Sequence, residues 1–240
     1  SRLGRHPFAV CHPQSYSIEN IKQKNPTIID VPMEDAHFAS RDSYNDMMLK
    51  PDFYRQFQAY DFILIYQLEA FILRDELDTW VAQDFDYIGA PWLPSDSWYQ
   101  RTIGEAVIRF RKLWSGINLQ KGCIRHADTY FEVGNGGFSL RKTQTMIRIL
   151  SENSSLVNQL PRDSRIRNED VVISLILGRK CRLKKPDWRT AARFSFETNP
   201  TRCFRVTHER LPFGCHAWDT NTWEEFWRGI VWFDRCTPND

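Results

Sequence analysis

Short apolar runs alternate with segments of helical periodicity along the first part of the chain. The sequences PFAVCHP at 7–13 and TIIDVP at 27–32 contain β-branched and aromatic residues and each ends at a proline, which predicts two strands. Apolar residues then recur at helical spacing through 43–60 and lead directly into DFILIYQ at 61–67. Because this last run is continuously apolar, it predicts a strand that is covered on both faces.

The same alternation continues along the chain. A helix is predicted at 75–83, followed by a strand in FDYIGAPW at 85–92, which ends at glycine and proline. EAVIRFRKLW at 105–114 has the pattern of an amphipathic helix, and we interpret about 93–130 as an insertion. Strands that alternate with helices indicate an α/β fold, and no linker or repeat divides the chain, so we expect a single domain over 1–240.

Three further segments are predicted toward the C-terminus. YFEVGNGGFSLRK at 130–142 has the pattern of a strand, a glycine turn and the start of a helix that runs through MIRIL at 146–150. NEDVVISLILG at 168–178 has an acidic first turn, as the helix dipole favours, and Gly178 as its predicted C-cap. WEEFWRGIVWF at 223–233 places its large apolar side chains on one face, which predicts a helix that packs against the body of the domain.

Composition and charge exclude several classes of protein. The chain has 240 residues, of which 42% are hydrophobic, so it can bury a large core. Its formal net charge of +2 gives no bulk electrostatic reason to expect a nucleic-acid partner. The six cysteines show no CxxC spacing, so neither a zinc ribbon nor a redox pair is indicated.

The expected location is the cytoplasm, with the cysteines as free thiols. No apolar run approaches the roughly 20 residues needed to span a bilayer. The basic stretch RKCRLKKPDWR at 179–189 is interpreted as a solvated surface, and contact with phosphate or an anionic membrane surface is the alternative. We therefore expect a soluble protein, or one that is peripheral on the inner face of the membrane.

Two oxygen-bearing side chains end the strand predicted at 61–67. In a strand, Gln67 and Glu69 point to the same side and Leu68 to the other. Ligands of open α/β sheets bind beyond the carboxyl ends of the strands, and oxygen ligands suit a hard divalent cation that would bring a diphosphate with it. The alternative is that Glu69 only ends the strand in solvent while Gln67 satisfies a neighbouring backbone group.

The glycine-rich sequence VGNGGFSL is a second candidate. Gly134, Gly136 and Gly137 around Asn135 permit positive φ and close approach, so a substrate could lie against bare main chain there. The spacing matches neither a dinucleotide-binding loop nor a P-loop. An ordinary Asn-Gly turn is the alternative.

Two acidic residues and one histidine complete the candidates. Glu169 and Asp170 open a predicted helix after Asn168, where they could cap the helix or, if they face a cleft, act as general base toward a sugar hydroxyl. His216 in LPFGCHAW gains interest only in combination with these groups. The other histidines lack HxxxH or HExxH spacing and no GxSxG motif occurs, which argues against zinc proteases and α/β-hydrolases.

Six motifs, in order, resemble those of a poorly characterised family of predicted glycosyltransferases. They are YDFILIYQLEAF, FDYIGAPW, VGNGGFSLR, NED, RFSFE and LPFGCHAW, and the match spans about residues 7–228. Members of that family occur in bacterial polysaccharide gene clusters and in fungi. The resemblance implies the GT-A nucleotide-diphospho-sugar transferase fold, which is a Rossmann-like mixed sheet flanked by helices. The family's usual first strand is not recognisable upstream of PFAVCHP, so we expect a sheet without it.

The resemblance also implies roles for individual residues. Gln67 and Glu69 correspond to the DxD motif of GT-A enzymes, with an amide in place of the first Asp, and Glu69 with His216 would hold Mn²⁺ or Mg²⁺. Asp170 corresponds to the last residue of the xED motif, which is the general base of inverting members, and Glu169 lies beside it. The residues expected to bind donor and acceptor are Gln67, Asn135, Gly136, Gly137, Trp92 and Trp218.

The implied reaction transfers a sugar from a nucleotide-diphospho-sugar to a glycan or a lipid-linked glycan with inversion. Two alternatives remain open. One is a non-catalytic glycan-binding module, in which tryptophans stack on sugar and the departures at Gln67 and Glu69 mark lost metal binding. The other is a nucleotidyltransferase, which normally carries a glycine-rich basic loop near its first strand, and no such loop is visible in the sequence.

Overall fold

The computed structural model describes residues 3–94, 126–161, 165–220 and 222–236. The helix predicted at 105–114 lies outside these residues, as does most of the insertion predicted at about 93–130. The described residues form a mixed α/β structure of small sheets and helices, which confirms the predicted α/β class.

Eight strands form three small sheets in the part of the chain that the structure describes. The strands are β1 Ala9–Pro13, β2 Ile29–Met33, β3 Phe62–Tyr66, β4 Ala70–Ile72, β5 Tyr87–Gly89, β6 Phe138–Lys142, β7 Ser195–Phe196 and β8 Gly214–His216. β1 and β2 are parallel. β6 lies between β3 and β5 and is antiparallel to both. β8 lies between β4 and β7, antiparallel to β4 and parallel to β7.

Helices surround these sheets. They are α1 Glu19–Lys24, α2 Arg41–Met48, α3 Pro51–Arg55, α4 Leu77–Val81, α5 His126–Thr129, α6 Thr143–Glu152, α7 Ser154–Gln159, α8 Glu169–Val171, α9 Gly178–Lys180, α10 Trp188–Phe194, α11 Pro200–Val206 and α12 Glu224–Cys236. Two 3₁₀ turns, Asp35–Phe38 and Arg165–Arg167, precede α2 and α8. The single helical segment predicted at 43–60 divides into α2 and α3 because Pro51 begins the second helix.

The strand β3 is covered on both faces, as predicted. Ile63 and Ile65 pack against a core cluster that contains Met146 and Ile149. The alternate residues of the strand, Phe62 and Leu64, pack against a second cluster that contains Phe138, Phe194 and Phe213. This apolar cover on both sides explains why the sequence of β3 is continuously hydrophobic.

Two boundaries differ from the prediction. The strand expected to continue through Gln67 ends at Tyr66. The predicted helix through MIRIL is present as α6, but the strand β6 lies between the glycine turn and this helix. Where a strand was predicted before the glycine turn, the described residues form an isolated bridge between Pro91 and Val133. Arg141 of β6 is fully buried.

The helix predicted at 168–178 begins at Glu169 as expected and then widens. Val172–Leu177 form a π-helical segment that joins α8 to α9, and all six of these residues are buried. Gly178 adopts ordinary helical angles and the chain continues to Lys180, so the predicted C-cap at Gly178 is wrong. π-Helical segments often occur near functional sites, and this one begins two residues after Asp170.

The C-terminal helix α12 packs as its pattern predicts. Trp227 and Val231 are fully buried against a cluster that includes Phe196. Among the described residues, no helix is both long enough and apolar enough to cross a membrane. The four described cysteines, Cys11, Cys181, Cys203 and Cys215, are free thiols.

Candidate functional site

The parallel pairing of β7 and β8 brings a glutamate and a histidine side by side. Their register pairs Ser195 with Gly214 and Phe196 with Cys215. The next residues along the two strands are Glu197 and His216, and Nδ1 of His216 lies 3.2 Å from Oε1 of Glu197. The pair therefore forms at the common carboxyl end of two strands, where α/β sheets bind their ligands.

His216 also contacts the end of β3. Its Nε2 lies 3.1 Å from the amide Oε1 of Gln67. A Cβ on Gly137 would overlap both the imidazole and this amide oxygen, so only glycine allows the two side chains to meet there. The main-chain N–H of Gln67 donates to the carbonyl of Gly137 over 2.9 Å, which anchors the glutamine against the glycine turn.

The chain reverses directly after Gln67. The N–H of Ala70 donates to the carbonyl of Gln67 over 2.9 Å, which closes a β-turn with Leu68 and Glu69 at its tip. The prediction that strand alternation aligns Gln67 with Glu69 is therefore wrong, because the chain must turn here to enter β4 and pair Ala70 with His216. Glu69 is exposed in the turn, yet its charge reaches His216.

The carboxylates around His216 favour its positively charged form. Burial alone would lower the pKa of the His216 imidazole, but the hydrogen bond and charge of Glu197 outweigh this effect. The charges of Glu69 and Asp170 act in the same direction, so the pKa of His216 is raised above 6.5. An imidazolium donates through both ring nitrogens, which fits a carboxylate on one side and an amide oxygen on the other.

The turn that carries Asp170 is held by α2. The amide oxygen of Asn45 accepts a hydrogen bond from the main-chain N–H of Glu169 over 3.3 Å. Asn168 accepts from Arg41 and from Asn45. These polar contacts between distant parts of the sequence fix the start of α8, which has no side-chain cap of its own.

Asp170 lies in surroundings that favour its neutral form. The residue as a whole is partly exposed, but its carboxyl is buried, and this burial together with the charges of Glu169 and Glu197 raises the pKa of Asp170 to about 7. The N–H of Val171 and the charge of Arg141 act in the opposite direction but do not cancel this shift. A carboxyl with this pKa is half protonated near neutral pH and can take up a proton from a bound group.

Glu169 points into the protein interior. It is 3% exposed, and its Oε1 lies 3.0 Å from Nη2 of Arg141 in a fully buried ion pair. Glu169 was expected beside the catalytic base. In the structure its side chain turns into the interior and pairs with Arg141. Its second carboxylate oxygen, Oε2, is buried and has no hydrogen-bond partner among the described residues.

The glycine turn packs closely against side chains from other parts of the chain. Asn135 has a φ of 73°, and its Oδ1 accepts from the N–H of Gly137 over 2.8 Å. A Cβ on Gly134 would overlap the Trp92 indole, and one on Gly136 would overlap the Glu169 carboxylate. A substrate was predicted to lie against bare main chain at these glycines. That prediction is wrong for the face on which a Cβ would stand, because side chains of the protein already occupy the space there.

The two tryptophans predicted to bind sugar lie in different environments. Trp92 is partly exposed beside Gly134. Trp218 is only 4% exposed and packs edge to face against Phe71 in the core, with ring centroids 6.5 Å apart. Trp92 can therefore offer part of its surface to a ligand, whereas Trp218 has a structural role.

The described residues do not fit the metal site that the resemblance implies. Neither ring nitrogen of His216 is free to coordinate a cation, because Nδ1 faces Glu197 and Nε2 faces Gln67. Glu69 points from an exposed turn. Within the ranges that the structure describes, no three His, Cys, Asp or Glu side chains are arranged to hold a metal ion.

The structure brings together most of the predicted residues and adds three that the sequence analysis did not single out. Gln67, Asp170 and His216 share one site with Glu197. Arg141 and Asn45 hydrogen-bond to Glu169, the residue before Asp170. Glu197 belongs to the quoted motif RFSFE and Arg141 to the quoted motif VGNGGFSLR, which were the available signals. Neither residue was singled out within its motif, because charged side chains usually face solvent.

Comparison with known proteins gives a family but no activity. No curated protein matches the chain. A family model matches residues 29–216, a range that includes all the residues of the site, from Asn45 to His216. The chain therefore belongs to the family described as "Protein of unknown function (DUF5672)".

Proposed function

We propose that the protein is a glycosyltransferase that moves a sugar from a nucleotide-diphospho-sugar donor to a hydroxyl of a glycan or lipid-linked glycan. The observation that carries the proposal is the Asp170 carboxyl, whose pKa is raised to about 7 and whose charge acts on His216. A general base works best when its pKa lies near the working pH, and such perturbed carboxyls cluster at functional sites.

Asp170 takes the proton of the acceptor hydroxyl in the proposed reaction. The acceptor oxygen attacks the anomeric carbon, the bond from this carbon to the diphosphate oxygen breaks, and the diphosphate leaves with the bonding electrons. Attack opposite the leaving group inverts the anomeric configuration. The positive charge of His216 is suited to the negative charge that builds on the diphosphate, and no step uses a metal ion.

The GT-A fold is part of the same proposal. It is supported by the order of the six motifs and by the meeting of strand ends at one edge, where Gln67 follows β3 and His216 ends β8. Mn²⁺ or Mg²⁺ is not required by the proposal, because the amide of Gln67 stands where a metal-binding carboxylate is expected.

A glycan-binding module without catalysis is the second candidate. It is favoured by the lack of a three-residue metal set within the described part of the chain, which also fits a degenerate transferase. The burial of Trp218 counts against it, because a sugar-stacking module needs exposed aromatic faces and this ring is in the core. The pKa of Asp170 also has no role in a binding module.

A donor screen distinguishes the two candidates. The purified protein is incubated with UDP-, GDP-, CMP- and dTDP-sugars, with Mn²⁺ or with EDTA, and release of the nucleotide is measured. We expect release from one donor class by the wild type, a large loss in Asp170→Asn, and no loss in Asp61→Asn, which changes an exposed aspartate. Calorimetric binding of glycans without binding or cleavage of any nucleotide would instead identify the module.

A further inference from the structure

Arg141 connects several parts of the site from within the core. It is fully buried, and three of its nitrogens donate to four acceptors. The acceptors are the Tyr54 hydroxyl at 2.7 Å, Ser139 Oγ at 2.9 Å, Glu169 Oε1 at 3.0 Å and the Gly136 carbonyl at 3.2 Å. The guanidinium also lies over the Tyr87 ring, 5.3 Å from its centroid. Hydrogen bonding at all three nitrogens helps to keep the arginine charge in the interior.

One nitrogen of this arginine joins two turns that are distant in sequence. Nη2 donates both to the carbonyl of Gly136 in the glycine turn and to the carboxylate of Glu169 at the start of α8. The two turns also touch directly, because the carboxylate of Glu169 occupies the space where a Cβ of Gly136 would stand. Asp170 follows Glu169 immediately, so its main chain is held by the same contacts.

The charges around Asp170 come from several elements. Glu169 on α8 and Glu197 after β7 raise the pKa of Asp170 in addition to burial, whereas Arg141 on β6 lowers it. Asp170 in turn acts on His216 at the end of β8 and on the Tyr87 hydroxyl of β5. The Glu169 carboxylate is thus both the anchor of the turn and the negative charge that raises the pKa of Asp170 most.

We propose that Arg141 and Glu169 are positioning residues, which lock the glycine turn to the start of α8 and thereby set the place and the charge environment of the Asp170 carboxyl. The proposal rests on the proposed function for its biological meaning, because Asp170 is the general base there. The ion pair itself touches neither substrate nor reacting atoms. Its effect on the reaction passes through Asp170.

The test is an NMR titration of aspartate carboxyl carbons in the full chain. The Asp170 signal is assigned by its disappearance in Asp170→Asn. We expect it to titrate near pH 7 in the wild type and about one pH unit or more lower in Glu169→Gln, since this change removes a like charge and leaves Arg141 uncompensated. Glu152→Gln is the matched control, because Glu152 also pairs with an arginine but on the surface, and it leaves the Asp170 titration unchanged.

A second variant tests the proposal in case Glu169→Gln does not fold. Arg141→Lys keeps the positive charge but loses the forked geometry that binds both turns. We expect the amide resonances of Gly136 and Asp170 to shift together in this variant, and a shift at Gly136 with none at Asp170 would overturn the proposal. An Asp170 carboxyl that titrates near pH 4 in the wild type, or that titrates as in the wild type in folded Glu169→Gln, would overturn it as well.

The titration needs no substrate, so its outcome is separate from that of the proposed function. A shifted Asp170 titration together with no cleavage of any nucleotide sugar would retain the positioning role and reject the transferase. Cleavage that depends on Asp170 together with an unshifted titration would retain the transferase and reject the positioning role. For an active enzyme, the acid limb of its pH–rate profile moves to lower pH in Glu169→Gln by the same amount as the NMR titration.

Discussion

Gly136 is the position where a single methyl group should damage the site most. A Cβ at Gly136 would occupy the space of the Glu169 Oε1 atom, and Nη2 of Arg141 lies close to the same point at 3.4 Å. Glu169 is 3% exposed and its Oε1 is held by Arg141 at 3.0 Å, so it cannot move away into solvent without leaving this partner. Gly136→Ala must therefore separate the buried ion pair or displace the turn.

The magnitude follows from the burial of the pair. Breaking a buried ion pair while both charges remain inside costs about 3–5 kcal/mol of unfolding free energy. For a domain of this size, about 1 kcal/mol corresponds to a Tm change of about 2–4 °C, so Gly136→Ala should lower the Tm by about 6–20 °C. The matched control is Gly229→Ala in α12, where a Cβ meets no atom of the described residues within 4 Å. Since alanine is the better helix former, this control should raise the stability by up to about 1 kcal/mol.

Differential scanning calorimetry of both variants beside the wild type measures the effect. The expected result is a clear loss of Tm in Gly136→Ala and no loss in Gly229→Ala. A Gly136→Ala protein that melts within about 2 °C of the wild type would refute the reasoning. That result would mean that the carboxylate of Glu169 and the glycine turn are not packed as tightly as the structure has them.

Three further predictions concern the site. Asp170→Asn should lower the rate of sugar transfer by about 10²–10⁴-fold, as expected for removal of a general base, and a rate within twofold of the wild type in a transfer assay would contradict this role. The pKa of Asp170 is raised to about 7 from 3.8, so the folded state binds this proton more tightly than the unfolded state does. The protein therefore loses stability as the pH rises from 3.8 to about 7. Asp170→Asn should therefore increase the Tm at pH 8 more than at pH 4, and an equal change at both would show an unshifted carboxyl. Mn²⁺ at millimolar concentration should leave the Tm of the EDTA-treated protein unchanged, because His216 uses both ring nitrogens within the protein, and a saturable rise in Tm that is lost in His216→Gln would reveal a metal site.

The apolar patterns predicted the local elements well because burial alone determines them. β3 has a continuous apolar sequence since both of its faces pack against core clusters, and α12 shows its buried stripe as Trp227 and Val231. The strand β6 was missed for the opposite reason. A helix was expected directly after the glycine turn, and the burial of Arg141 within β6 depends on partners that are distant in sequence, among them Glu169.

The residues of the site were predicted as types but not as a geometry. Gln67, Asp170 and His216 were singled out, yet the partner that orients His216 is Glu197, and this contact follows from the parallel register of two short strands that no local pattern encodes. The turn at 67–70 was missed because the sequence there is compatible both with a strand that continues and with a strand that ends in a turn. The glycines were interpreted as room for a substrate, but they are room for the protein's own side chains.

The rate of nucleotide release as a function of pH tests the central claim most directly. It is measured from pH 5 to 9 in EDTA with the best nucleotide-sugar donor and an acceptor, for the wild type and Asp170→Asn. We predict that the wild-type rate rises with pH through a midpoint near 7, where the Asp170 carboxyl loses its proton, and that Asp170→Asn has a low rate without this midpoint. A wild-type midpoint that persists in Asp170→Asn, or the absence of any nucleotide release, would contradict the account.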